Sequence, residues 1–197
     1  MSSNSLVRVA GIAGILSVVL SMAVYATIGP TGAPSGPLFV ILSVASSLAG
    51  IIFVVGLYLL YRGEAATLSL VAVAISIIGG LLFIVSSTLM QYDFNNPALM
   101  IADISVYIVG LALFSWLAYQ SGKMPRALAV VGFLAALAGV GVYVLKLGAG
   151  VDAVTTSNAP LAGVASIFYY AYFLLAFGWV VWTGLVLILG KAKMATA

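Results

Sequence analysis

The stretch PLFVILSVASSLAGIIFVVGLYLLY, Pro37 to Tyr61, contains no charged residue, and its reading decides the fold. As a helix rising about 1.5 Å per residue it would be roughly 37 Å long, more than the ~30 Å hydrocarbon core of a bilayer. Arg62-Gly63-Glu64 interrupts it, and Ala66 to Met90 begins a second apolar run of the same kind. Lipid offers no hydrogen bonds to the backbone, so such runs must be helices that satisfy their own amides. The two form a transmembrane hairpin.

Working outward, four further segments meet the requirement of about 20 predominantly apolar residues. They are 7–28, 98–120, 125–147 and 163–189, beside 37–61 and 66–90. The breaks between them are turn-forming or polar: Gly29 to Gly36 with Pro30 and Pro34, Gln91 to Pro97, Ser121 to Arg126, and Gly148 to Pro160. Pro125 stands at a helix start, where its missing N–H costs nothing. The first segment has an n-region charge in Arg8, yet its apolar run exceeds a signal peptide's and no small-x-small site follows, so it reads as a helix. The expectation is an all-α, polytopic integral membrane protein, a single domain over 1–197 built as a bundle of six transmembrane helices.

Composition agrees. The chain is 64% hydrophobic and 6% charged, with a mean hydropathy of +1.30, whereas a soluble domain carries about a quarter charged residues. Its solvent has to be lipid. Six basic residues, Arg8, Arg62, Lys123, Arg126, Lys191 and Lys193, fall on one side of the predicted topology. Lys146 is alone on the other, with Asp93 and Asp152. The positive-inside rule therefore predicts a multi-pass protein of the cell membrane with both termini cytoplasmic. The aromatic belt would hold Tyr58, Tyr61, Trp116 and Tyr119 at the cytoplasmic boundary and Tyr25 and Tyr92 at the outer one.

There is no Cys and no His. That removes disulfides, thiol chemistry and the usual haem, iron–sulfur, copper and zinc ligand sets, so no cofactor and no metal site is expected. No nucleophile–base pair, close carboxylate pair or phosphate loop is present, and the chain does not read as an enzyme. The basic residues form no clustered face, which argues against nucleic acid. Small residues four apart, Ala10 and Gly14, Ser46 and Gly50, Ser76 and Gly80, Ala135 and Gly139, predict close helix packing within the chain. A transporter would show helix breaks near the midplane. Here Gly79-Gly80 and Ser86-Ser87-Thr88 are the candidates.

Two groups of residues could carry chemistry. Asp103 lies about a turn and a half into the fourth segment, among Ile101, Ala102 and Ile104. A carboxylate there needs a partner or a role. Lys146 should lie at similar depth and Tyr107 one turn below. The three form either a structural ion pair or a proton, cation or ligand site. The sixth segment opens with Phe168, Tyr169, Tyr170, Tyr172 and Phe173, followed by Trp179 and Trp182. Tyr169, Tyr172, Phe173 and Trp179 could form a face for a flat lipophilic ligand, or pack on helices and lipid. The polar residues of the non-terminal side, Gln91, Asp93, Asn95, Asn96, Asp152, Thr155, Thr156, Ser157 and Asn158, read as a solvated rim or a vestibule.

The run Ser121-Gly122-Lys123-Met124-Pro125-Arg126-Ala127-Leu128-Ala129-Val130-Val131-Gly132 resembles an uncharacterised family of bacterial six-helix integral membrane proteins, a domain of unknown function. That family has a basic turn and Pro-Arg before its fifth helix. Arg8 to Gly14 and Phe177 to Gly184 are similar to its first and last helices. The resemblance implies a six-helix bundle and no particular activity. The leading functional expectation is a non-catalytic accessory or structural subunit of a membrane complex, with lipid and other membrane-protein subunits or a second copy as partners. The alternative is a transporter or binder of a small lipophilic molecule, using Asp103 and the aromatics of the sixth helix. A subunit should offer an apolar face to its partner. A binder should enclose a cavity reaching Asp103.

Overall fold

In a computed structural model, residues 3–27, 36–89, 97–149 and 161–192 are described. The helices are α1 (Ser3–Ala26), α2 (Pro37–Tyr61), α3 (Ala66–Leu89), α4, α5 (Arg126–Ala149) and α6 (Ala162–Ile188). Helix α4 is composite: α-helical over Pro97–Asp103, π-helical over Ile104–Gly110 and α-helical again over Leu111–Ser121. Six spans, Ser5–Ala26, Pro37–Tyr61, Ala66–Thr88, Met100–Ser121, Arg126–Gly148 and Ala162–Ile188, are long and apolar enough to cross a bilayer. The chain is a multi-pass membrane protein with an all-α, six-helix fold.

Each helix packs on its neighbours in the chain, and α6 returns to α1, so the six close a ring. Six passes put both termini at one end, called here the terminal end. Closure depends on glycine. A Cβ on Gly11 would lie 2.7 Å from the Gly184 carbonyl oxygen, and one on Gly184 2.7 Å from that of Gly11. Without those hydrogens-only side chains the backbones of α1 and α6 could not touch. Elsewhere Gly14 receives the Phe53 ring, Gly56 receives Ala10, and Gly139 receives Ile108 and Tyr172. These contacts account for much of the small-residue spacing within one chain.

The terminal end is sealed. Leu57, Leu60, Tyr61, Leu117, Met124, Leu128 and Leu187 are all buried there. Lys123, in the turn after α4, is buried too. Its Nζ donates to the Leu60 carbonyl at 2.7 Å and lies 3.3 Å from Glu64 Oε1. The ammonium thus satisfies an orphan carbonyl at the C-terminus of α2, where the helix dipole favours a cation. Gly122 enters the turn in the left-handed conformation, φ 61°, which glycine adopts without a Cβ clash.

Two expectations need correction. Tyr61 is no belt residue but is buried in the core at 1% exposure, whereas Trp116 and Tyr119 are exposed and stack on each other. The departure from α-helix lies not at Gly79-Gly80 but in α4, beginning beside Asp103, where Leu111 N–H reaches back to the Val106 carbonyl. Ile104, Val106, Ile108 and Val109 are β-branched and Gly110 follows them, a run of weak helix formers. Gly79 contributes from across the interface. A Cβ on it would lie 2.9 Å from the Ala102 carbonyl, so α3 presses closely on the segment that widens.

Candidate functional site

The ring surrounds a partly open cavity of about 140 Å³ to which every helix contributes. At the end away from the termini its wall is polar. Ser43 and Asp103 are each the seventh residue of their helix, and Tyr143 is near the end of α5, so three helices place polar side chains at one depth. Tyr143 donates its hydroxyl to Asp103 Oδ2 at 2.7 Å. Lys146 Nζ lies 5.2 Å from the centre of the Tyr143 ring, within cation–π range. Tyr143 therefore bridges the two charges. No direct ion pair joins Asp103 to Lys146 among the described residues.

Next in the wall come hydroxyls. Tyr107 meets Ser21 through its hydroxyl. Ser21 and Ser46 share a 2.7 Å hydrogen bond, and Ser46 also donates to the Ser17 carbonyl at 3.0 Å. These bonds tie α1, α2 and α4 together. Ser43 Oγ is buried with no hydrogen-bond partner among the described residues. A buried hydroxyl left this way calls for an explanation, such as a water or a ligand.

Along α6 the wall is aromatic. Phe173 is the hub, with Tyr169 at 4.5 Å, Tyr172 at 5.2 Å, and Tyr25 and Phe177 each at 5.3 Å between ring centres. Trp179 packs edge-on against Phe53 at the floor. Gly50 lies on the wall of α2, and a Cβ there would meet nothing within 4 Å.

Most of the residues singled out by sequence meet here. Asp103, Tyr107, Lys146, Tyr169, Phe173 and Trp179 all line this one cavity. Tyr172 is buried behind the lining, edge-on to Tyr107, and its hydroxyl has no hydrogen-bond partner among the described residues. The hydrogen-bond partner of Asp103 is Tyr143, rather than the Lys146 or Tyr107 that depth alone suggested. On the far side of α6, Tyr170 is exposed, facing the lipid. Sequence reasoning missed Tyr143 and the serines. Ser17 and Ser21, and Ser43 and Ser47, recur four apart, which was the available signal. Gln91, Asp93, Asn95, Asn96, Asp152, Thr155, Thr156, Ser157 and Asn158 lie outside the described residues. So does Tyr92.

No family model, no curated protein and no solved structure matches the chain. Function has to be argued from the cavity. Among the described residues no cluster of three His, Cys, Asp or Glu could hold a metal, and the polar groups at hand can bind, orient and donate or accept hydrogen bonds.

Proposed function

We propose that this chain is a non-catalytic binder or transporter of a small amphiphile, which enters the bundle with its polar head at Asp103, Tyr143 and Lys146. The observation that carries this reading is the cavity itself, lined by Asp103, Lys146, serine and tyrosine hydroxyls and aromatic rings. Its volume is close to the roughly 150 Å³ of an engineered apolar cavity that holds benzene, so the body of the ligand is of one-ring or short-alkyl size. Lipid-like ligands also suit a chain whose surroundings are lipid. The reading as an accessory subunit has less support. Outward residues such as Ile41, Leu137, Ile167 and Leu174 are exposed and apolar on several helices, which suits acyl chains and a partner helix alike, so it is the cavity that favours binding.

Purification from native membranes, with identification of co-purifying chains and small molecules, tests the choice. A binder brings a small amphiphile and no stoichiometric second chain. A stoichiometric partner with no small molecule would refute binding in favour of the subunit.

We also propose that both termini are cytoplasmic and the polar end of the cavity faces outward, from the six-to-one distribution of Lys and Arg. Cysteines introduced at Ser35, Asn95 and Ser157 should then react with an impermeant thiol reagent from outside. Reaction at Ser121 instead would invert the orientation.

A further inference from the structure

We infer that the occupant of the cavity is a zwitterion, carrying an ammonium and a carboxylate on an apolar body of one-ring size. This rests on the binding function proposed above and specifies its ligand.

The argument starts from how the two charges are held. Asp103 and Lys146 both belong to the cavity wall. Besides their mutual electrostatic attraction they are joined through Tyr143, whose hydroxyl donates to Asp103 Oδ2 and whose ring faces the ammonium. Among the described residues Asp103 Oδ1 accepts no hydrogen bond and Lys146 has no carboxylate. The same chain does make a direct pair where sealing is the task, with Lys123 3.3 Å from Glu64. At the cavity, the opposite charges are instead held apart by an aromatic ring, with no direct contact between them among the described residues.

Neutrality at membrane depth narrows the ligand further. The polar end carries one negative and one positive group. A ligand with a net charge would leave one ion uncompensated in a low-dielectric site, which is costly. The ligand should therefore be neutral overall. An uncharged alcohol would meet that condition but leave Asp103 and Lys146 with only each other, across the Tyr143 ring and without direct contact. A zwitterion satisfies both, its ammonium on Asp103 Oδ1 and its carboxylate on Lys146. Ser43 Oγ, unpartnered on the same wall and at the depth of Asp103, offers one more hydrogen bond to either head group. The apolar body then lies along Phe173, Phe177 and Gly50.

Four probes with one phenyl ring and different heads test this on the purified full chain in lipid nanodiscs by calorimetry: phenylalanine, phenethylamine, 3-phenylpropionate and 2-phenylethanol. Phenylalanine should bind at least ~10-fold more tightly than the other three. Asp103→Asn should shift the preference to 3-phenylpropionate, and Lys146→Met to phenethylamine, since each leaves the opposite charge behind. If a variant fails to fold, the ranking on the parent chain alone decides. Equal binding of all four, or a preference for the amine, the acid or the alcohol, overturns the zwitterion and leaves the binding function standing. Failure of all four to bind a folded, monodisperse chain overturns both.

Discussion

Removing the Tyr143 hydroxyl isolates what holds Asp103 in the bundle. Asp103 lies six residues below Pro97, about 9 Å along the helix, short of the bilayer centre, where an unpaired carboxylate costs roughly 2.5–3.5 kcal/mol. Hydrogen bonds to a charged group contribute about 1.5–3 kcal/mol in soluble proteins, but interhelical bonds in membranes average about 0.6 and reach about 1.7. The 2.7 Å O–H···O bond from Tyr143 to Asp103 Oδ2 is short and part-buried, so its coupling belongs at the upper end, about 1.5 kcal/mol. Tyr143→Phe, Asp103→Asn and the double variant, unfolded with SDS in mixed micelles, complete the cycle. We expect Tyr143→Phe to cost about 1.5 kcal/mol, and the double variant to cost little more than the larger single loss. Losses that add to within about 0.3 kcal/mol would refute the bond as the anchor of Asp103.

Three further outcomes follow from particular contacts. Gly50→Leu should leave helicity and assembly intact while abolishing phenylalanine binding by calorimetry, because the new side chain grows into open space in the cavity. Gly184→Ala should cost about 1–3 kcal/mol, the range for overpacking, since its Cβ would lie 2.7 Å from the Gly11 carbonyl. SDS unfolding measures it. Lys123→Met should cost about 1–3 kcal/mol by the same assay, by stripping the Leu60 carbonyl of its donor inside the sealed end.

The six spans were legible because length and hydropathy alone set them: nothing but lipid solvates Pro37 to Tyr61. Asp103 was legible for the same reason in reverse, as a charge where charge is expensive. What could not be read was convergence. Asp103 and Phe173 share a wall only because α6 closes the ring onto α1, and that contact depends on Gly11 and Gly184, two glycines among 21. Tyr61 looked interfacial by position, yet the turn carrying Lys123 and Met124 folds over that end and buries it. Tyr143 was within reach of a closer reading. It lies three residues before Lys146 on one helix face, at the depth predicted for Asp103.

The cavity is more than a gap left by imperfect packing, and the glycines argue why. At Gly11, Gly14, Gly79, Gly110, Gly139, Gly141 and Gly184, a neighbour comes so near that a Cβ would lie within about 3 Å of it. Those glycines let helices approach, the use expected of small residues where lipid supplies no hydrophobic drive. Gly50 has the same residue type on the same kind of surface and faces nothing. Alanine there would favour the helix by roughly 0.5–1 kcal/mol over glycine, and a larger residue would fill the void and add dispersion contacts. The wall instead stays thin where α2 faces the ring of Phe173 and the widened turn of α4. Val106, Tyr107 and Gly110 of that π-helical turn, with Leu111 after it, line the cavity, so the thin wall of α2 and the non-α turn of α4 border the same space. Stability alone would close it from either side, and an occupant gives both features one physical reason.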